Sequence, residues 1–333
     1  MSTIAIDPGK VRGLQRVTSA DGFFLICAID HLSDYAELLA PDPSTVTFAD
    51  VVASKDAVVR ALAPNVSAFL VDPLYALGHL VGSGAVPGNV GLMSSIEDED
   101  YQIPPGPRRT RLREHWSAER IKMAGADMCK LLWFYRPNGD PAVADDQRRL
   151  LADLVETCAG LSLPLVVEPI CYPLPGEEPG SAEWKAARVR GIIASAVAAN
   201  EMGVDMLKVE FPGYVETEAG RDAARAACAE LDANIDVPWV ILSAGVGYAD
   251  FATQVEISCE AGASGYLAGR SIWRDAVSTH DARRRAVAVE EARDRLEKLN
   301  RITRRCGRPY HPTQPLDDVL KALPPEWYRD WHA

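Results

Sequence analysis

Eight short runs of apolar residues recur along the chain, each followed by turn residues or by a longer stretch of helical periodicity. They are FFLICAID (23–30), SAFLVDPLY (67–75), VGLMSSI (90–96), ADMCKLLWFY (126–135), LPLVVEPICY (163–172), VDMLKVEF (204–211), PWVILSAG (238–245) and SGYLAGRSIW (264–273). Nearly continuous apolar composition is what a strand covered on both faces needs, as in a parallel sheet with helical crossovers. Between the runs, segments such as FADVVASKDAVVRALA, SAERIKMAGA, DDQRRLLADLVETCAG, EWKAARVRGIIASAVAANEMG, EAGRDAARAACAELD and ADFATQVEISCEAGA supply the crossover helices. Eight such units without a GxGxxG after the first run predict an α/β fold, a single (β/α)8 TIM barrel, in preference to an open doubly wound sheet.

The barrel core is expected over about residues 20–300 of a single domain 1–333, with a tail at 301–333. PGKVRGLQRVT, ahead of the first strand, predicts an N-terminal helical plug at the barrel bottom. The charged stretch DARRRAVAVEEARDRLEKLNRIT and the Pro-rich, aromatic end predict a C-terminal helical extension that caps the barrel or a neighbouring subunit. The third unit is the weakest. After SSIEDEDYQ comes IPPGPRRTRLREHW, which predicts a long loop on the functional face where a helix would normally stand.

Composition narrows the function. Apolar residues at 47% and charged residues at 25% describe a soluble globular chain. A formal charge of -12 opposes binding to a phosphate backbone, so no nucleic acid is expected and any anion site must be built locally. The seven cysteines form no CxxC pair, which predicts reduced thiols and a cytoplasmic protein. The N-terminus lacks a basic start followed by an apolar stretch, and no window of 18 residues is both apolar and free of charge, so no membrane span is expected. A homo-oligomer is expected.

In a barrel of this type the chemistry sits at the carboxyl ends of the strands, so the informative residues are charges that interrupt apolar runs. Asp30 ends the first run, Asp72 the second, Lys130 lies in the fourth, Glu168 in the fifth, Lys208 and Glu210 in the sixth, and Arg270 in the eighth. Strand alternation puts Lys208 and Glu210 on the face of Met206, Lys130 on that of Leu132, and Glu168 on that of Val166. Burying a lone ammonium is costly, so the two lysines either pair with Glu168 and Glu210 as structural ion pairs, or one of them must lose its proton. A desolvated lysine beside a second cation has a lowered pKa, which suits attack on a ketone, and Lys208 is the better nucleophile candidate.

The turns SAGVG and AGRS place Ser243, Gly245, Gly269 and Arg270 ahead of helix N-termini, where free amides favour phosphate. Any barrel contains short Gly turns, but Arg270 strengthens the anion reading. The six histidines show neither HxxxH nor HxH spacing, so neither a metal nor another cofactor is implied. His31 reads either as a substrate contact or as a packing residue, and Asp72, followed by Pro73, as a strand terminator.

The stretches HWSAERIKMAGADMCKLLWFY, LVVEPICY, VDMLKVEFPG and ILSAGV followed by GYLAGRSIW resemble the class I tagatose-1,6-bisphosphate aldolase family, which includes sulfofructose-phosphate aldolases. The similarity runs from about residue 10 to the RCGRP segment and so covers nearly the whole chain. The resemblance implies reversible cleavage of a phosphorylated ketose, a small-molecule sugar phosphate, to dihydroxyacetone phosphate and an aldehyde. It implies a Schiff base on Lys208, a supporting cation at Lys130, proton transfer by Glu168, substrate binding at Asp30, and capture of the 1-phosphate by Ser243, Gly245, Gly269 and Arg270. One departure stands out. Family members continue the first strand as Asp-Gln-Arg, whereas this chain reads Asp30, His31, Leu32, Ser33. A far-end anion of the substrate is then either absent or met by Arg108, Arg109, Arg111 or Arg113, which otherwise read as solvated surface. A sugar-phosphate isomerase or epimerase using Glu168 without a covalent step, and a sugar-phosphate sensor without turnover, are the competing readings.

Overall fold

In the structure, a computed structural model that describes residues 6–98, 107–329 and 331, eight parallel strands close into one barrel in chain order. They are β1 (Phe24–Ala28), β2 (Ala68–Val71), β3 (Gly91–Ser95), β4 (Met128–Phe134), β5 (Leu165–Ile170), β6 (Met206–Val209), β7 (Trp239–Leu242) and β8 (Gly265–Ala268). Strand β1 completes the ring, with Ile26 opposite Ala68 of β2 and Leu25 opposite Tyr266 of β8. The helices are α1 (Pro8–Val17), α2 (Ser33–Leu39), α3 (Phe48–Leu62), α4 (Leu77–Gly82), α5 (Ala118–Met123), α6 (Pro141–Gly160), α7 (Ala182–Glu201), α8 (Glu218–Ala233), α9 (Tyr248–Ala261), α10 (Arg270–Ser278), α11 (Ala282–Cys306) and α12 (Leu316–Ala322).

Alternation along the strands divides the apolar residues between two cores. Phe24, Ile26, Leu70, Met93, Met128, Val166, Met206, Val240 and Leu267 point inward and pack together inside the barrel. Their neighbours Leu25, Phe69, Leu131, Trp133, Val167, Leu207 and Ile241 face the helices. Burying a side chain of this size is worth roughly 2 kcal/mol, and a one-residue slip would exchange the faces of a whole strand, so the register is strongly held.

The N-terminal plug is present. Asp7 caps α1 by accepting hydrogen bonds from the Gly9 and Lys10 amides at 2.9 and 3.0 Å, and Leu14 and Val17 join the inner core. Gly13 permits the close fit, since a Cβ there would meet the Asp127 carbonyl oxygen at 2.4 Å. At the same end the chain returns after α11, where Tyr310 stacks on Phe24 with ring centroids 5.7 Å apart.

Two boundaries differ from expectation. The run 264–273 is only half strand: β8 stops at Ala268, and Arg270 opens α10. Gly269 makes the break, in a position where a Cβ would come within 2.8 Å of His31 Cε1. In the third unit, the part of the expected loop at residues 99–106 lies outside the described residues, and the one helix described before β4 is the six-residue α5. The loop's return is anchored: Leu112 bridges Glu97 in antiparallel fashion, and Thr110 Oγ1 donates to the Leu132 carbonyl at 2.8 Å while accepting from the Phe134 amide at 2.9 Å. The seven cysteines are free thiols, six of them buried. Among the described residues, no helix is long and apolar enough to cross a membrane.

Candidate active site

At the carboxyl end of the barrel a cavity opens among Asp30, His31, Arg108, Glu168, Lys208, Glu210, Ser243, Gly245, Gly269 and Arg270. Strand register explains how the charges meet. Lys130 stands opposite Val166, which in turn stands opposite Met206, so Lys130 lies one layer below Glu168 and Lys208. Its long side chain reaches up to that layer. Nζ of Lys130 is 2.9 Å from Glu168 Oε2 and 3.5 Å from Asp30 Oδ2, and it donates to Glu97.

Lys208 Nζ lies 2.8 Å from Glu168 Oε2, so one carboxylate oxygen serves both ammonium groups. The lysines differ in access. Lys208 is on the cavity floor with 6% of its surface exposed, whereas Lys130 is fully enclosed and does not line the cavity. Only Lys208 can meet a substrate carbonyl. Burial alone would raise the Glu168 carboxyl, but the Lys130 and Lys208 charges outweigh it and hold the group below its ordinary value. Asp30 follows the same pattern: burial pushes up, Lys130 and Lys208 push down harder, and the carboxyl ends well below the usual range. Both are carboxylates at neutral pH.

Glu210 is not a partner for either lysine. Its Oε1 accepts from Arg188 at 2.8 Å and its Oε2 from the Cys171 amide at 2.8 Å, so it faces the cavity already neutralised. The expectation that Glu168 and Glu210 each pair with a lysine is thus half right, because Glu168 takes both and Arg188 takes Glu210. Asp72 does not reach the cavity either. It is locked to Lys55 of α3, whose Nζ also donates to the carbonyls of Ile29 at 2.8 Å and His31 at 2.7 Å. Those carbonyls flank Asp30, so the Lys55 contact fixes the backbone that carries it.

His31 sits with its ring edge toward Trp273 at 5.2 Å, and its Nδ1 lies 3.6 Å from Asp30 Oδ1. Burial is the main cause that pushes its pKa down, to about 4, so the imidazole is neutral at working pH. The anion-site residues also converge. Ala244 and Gly245 both have positive φ, 45° and 73°, and the Gly269 amide faces Ser243 Oγ at 3.5 Å. Arg270 leans on Asp34 through Nη1 at 2.6 Å, while its buried Nε has no protein partner and is left for a ligand.

The arginine loop divides. Arg109 and Arg113 pair with Asp146 and Asp98, and Arg109 and Arg111 are exposed, as solvated surface would be. Arg108 instead lies over the Phe134 ring, 5.4 Å from its centroid, and lines the cavity.

Sequence reasoning missed Glu97, Lys55 and Arg188. Glu97 hides at the head of the acidic run EDEDYQ, although it shares strand parity with Met93 and Ser95. Lys55 carries a usable signal, since it occupies the buried stripe of α3 between Val51 and Val59 at helical spacing. Arg188 had none, because a basic residue in a mixed helix reads as surface.

A family model described as "DeoC/LacD family aldolase" matches residues 25–275. Among curated proteins, the chain is 26% identical to "Tagatose 1,6-diphosphate aldolase 2" of Enterococcus faecalis, covering 92% of this chain and 97% of that one. It is 29% identical to "Tagatose 1,6-diphosphate aldolase" of Listeria monocytogenes over 83% of this chain and 85% of the relative. Solved structures share the fold. A Schiff base forming fructose-1,6-bisphosphate aldolase superposes with a TM-score of 0.61 at 18% identity, over 87% of this chain and 99% of that one. The fructose-bisphosphate aldolase of Plasmodium falciparum gives 0.65 at 16% identity, over 91% and 96%.

Proposed function

We infer, for a chain that belongs to the DeoC/LacD aldolase family and is therefore a carbon-carbon lyase, that Lys208 forms an imine with the C2 ketone of a phosphorylated ketose. The observation that carries this reading is the Lys208 to Glu168 contact at 2.8 Å on the floor of the cavity, with Lys130 sealed beneath it.

The chemistry runs as follows from those positions. Lys208 passes a proton to Glu168, attacks C2 and, with loss of water, becomes a protonated imine. That cation draws electrons toward nitrogen. The C4 hydroxyl gives its proton to Glu168, the C3–C4 bond breaks, the aldehyde leaves, and its bonding pair becomes the enamine on Lys208. Glu168 returns the proton to C3, and water hydrolyses the imine to release dihydroxyacetone phosphate and the free amine. Each step is reversible. Lys130 and its partners Glu97 and Asp30 keep Glu168 ionised, which is the form that accepts the proton. Ser243, Gly245, Gly269 and the unpartnered Nε of Arg270 hold the 1-phosphate, and Asp30 and neutral His31 contact substrate hydroxyls.

Reduction with borohydride in the presence of dihydroxyacetone phosphate, followed by peptide mass spectrometry, tests the reading. A covalent adduct on Lys208 is expected. An adduct elsewhere, or none in a protein that still turns over sugar phosphates, would replace the imine with non-covalent isomerase or epimerase chemistry.

A further inference from the structure

We propose that Arg108 forms an anion subsite at the far end of the cavity, so that the substrate is a ketose bearing a negatively charged group at both ends. This rests on the aldol reading above and deepens it.

The closed ring carries the argument. In an eight-strand barrel closed in chain order, β4 and β8 stand opposite each other. Arg270 begins α10 directly after β8 and Gly269, while the Arg108 guanidinium lies 5.4 Å from the ring of Phe134, the last residue of β4. Both line the one cavity. Passing around the rim from β8 to β4, the groups come in the order Arg270, then Ser243 and Gly245 after β7, Lys208 on β6, Glu168 on β5 and Arg108 at β4. A ketose 1-phosphate laid along that path presents its atoms in the same order: phosphate, C2 carbonyl, C4 hydroxyl, terminal carbon. The terminal substituent then arrives at Arg108.

Arg108 is held there. Two residues on, Thr110 is buried and bonded to the backbone of Leu132 and Phe134, and its amide donates to Gln147 at 2.9 Å. Packing on Phe134 presents a planar fork of donors, the shape that matches a phosphate or another tetrahedral oxyanion. The other acids on the cavity wall do not consume this role, because Glu210 is bonded to Arg188 and Glu168 to the two lysines. Where the resembling family carries Gln and Arg after the first-strand Asp, this chain has His31 and Leu32. A cation from the loop after β3 thus takes over from one that strand one lacks.

Calorimetric titration of two non-reacting sugar alcohols, hexitol 1-phosphate and hexitol 1,6-bisphosphate, into wild type, Arg108→Met and Arg108→Lys tests the proposal. In wild type the bisphosphate should bind on the order of tenfold tighter or more. In Arg108→Met that ratio should fall to about one while hexitol 1-phosphate binding moves by less than about twofold, and Arg108→Lys should recover part of it. A wild-type ratio near one, a ratio that survives in Arg108→Met, or an equal loss for both ligands would each overturn the assignment. Borohydride trapping of dihydroxyacetone phosphate on the wild-type protein needs only the near end of the site. An adduct on Lys208 with no bisphosphate discrimination therefore sinks Arg108 alone, whereas no adduct sinks the aldol reading itself.

Discussion

Lys208 and Glu168 meet at 2.8 Å across neighbouring strands, and the oxygen that Lys208 approaches is the one Lys130 reaches from below at 2.9 Å. The carboxylate is therefore held ionised and aimed by two cations, one of which faces the substrate. That arrangement separates making the imine from moving protons, because the nucleophile and the base are different groups within hydrogen-bond reach.

Glu168→Gln should divide those two functions. The amide keeps the shape and can still contact Lys208, so borohydride trapping with dihydroxyacetone phosphate should still label Lys208. It cannot shuttle the C4 proton, and carbon-carbon cleavage should fall by roughly a hundredfold to ten-thousandfold. Single-turnover measurements with a ketose phosphate check this; cleavage at the wild-type rate would remove Glu168 from the proton path.

The Lys55 and Asp72 pair should matter for stability and for the site together. Lys55 is fully enclosed, with its donors spent on Asp72 and on the carbonyls either side of Asp30. Replacing it with Met strands a buried carboxylate and two carbonyls, which should cost about 3–5 kcal/mol in urea unfolding. The double variant Lys55→Met, Asp72→Leu removes the stranded charge and should be less destabilised than the sum of the single changes. If the double variant instead shows the full additive loss, the pair is not coupled.

His31 gives the protein an acid-side instability. The imidazole is held near 4 in the folded state by burial, against an ordinary value of about 6.5 in the unfolded chain. Between those values the unfolded chain binds a proton that the folded chain refuses, so stability is intact above about pH 6.5 and is lost as pH falls toward 4. At pH 5 the loss amounts to about 2 kcal/mol. Urea unfolding at pH 7.5 and pH 5 should show that much more acid sensitivity in wild type than in His31→Asn. Equal sensitivity in the two proteins would mean that His31 titrates normally.

The amino-acid sequence alone determined the barrel, the helical plug, the identity of the strands and the inward parity of Lys130, Glu168 and Lys208. These follow from local rules: eight apolar runs, period-two alternation, and the cost of burying a charge without a purpose. Parity says which face a residue takes, not how far up the barrel it stands. Only the register of β4 on β5 and β5 on β6 sank Lys130 a layer below Lys208 and so decided which lysine meets the substrate. Likewise, only the closed ring could bring Glu97 from an acidic run, Lys55 from the middle of α3, and Arg108 rather than its neighbouring arginines to the site. Those contacts join residues distant in the chain, and nothing in the spacing of an acidic or basic cluster distinguishes the one member that turns inward from the several that stay in water.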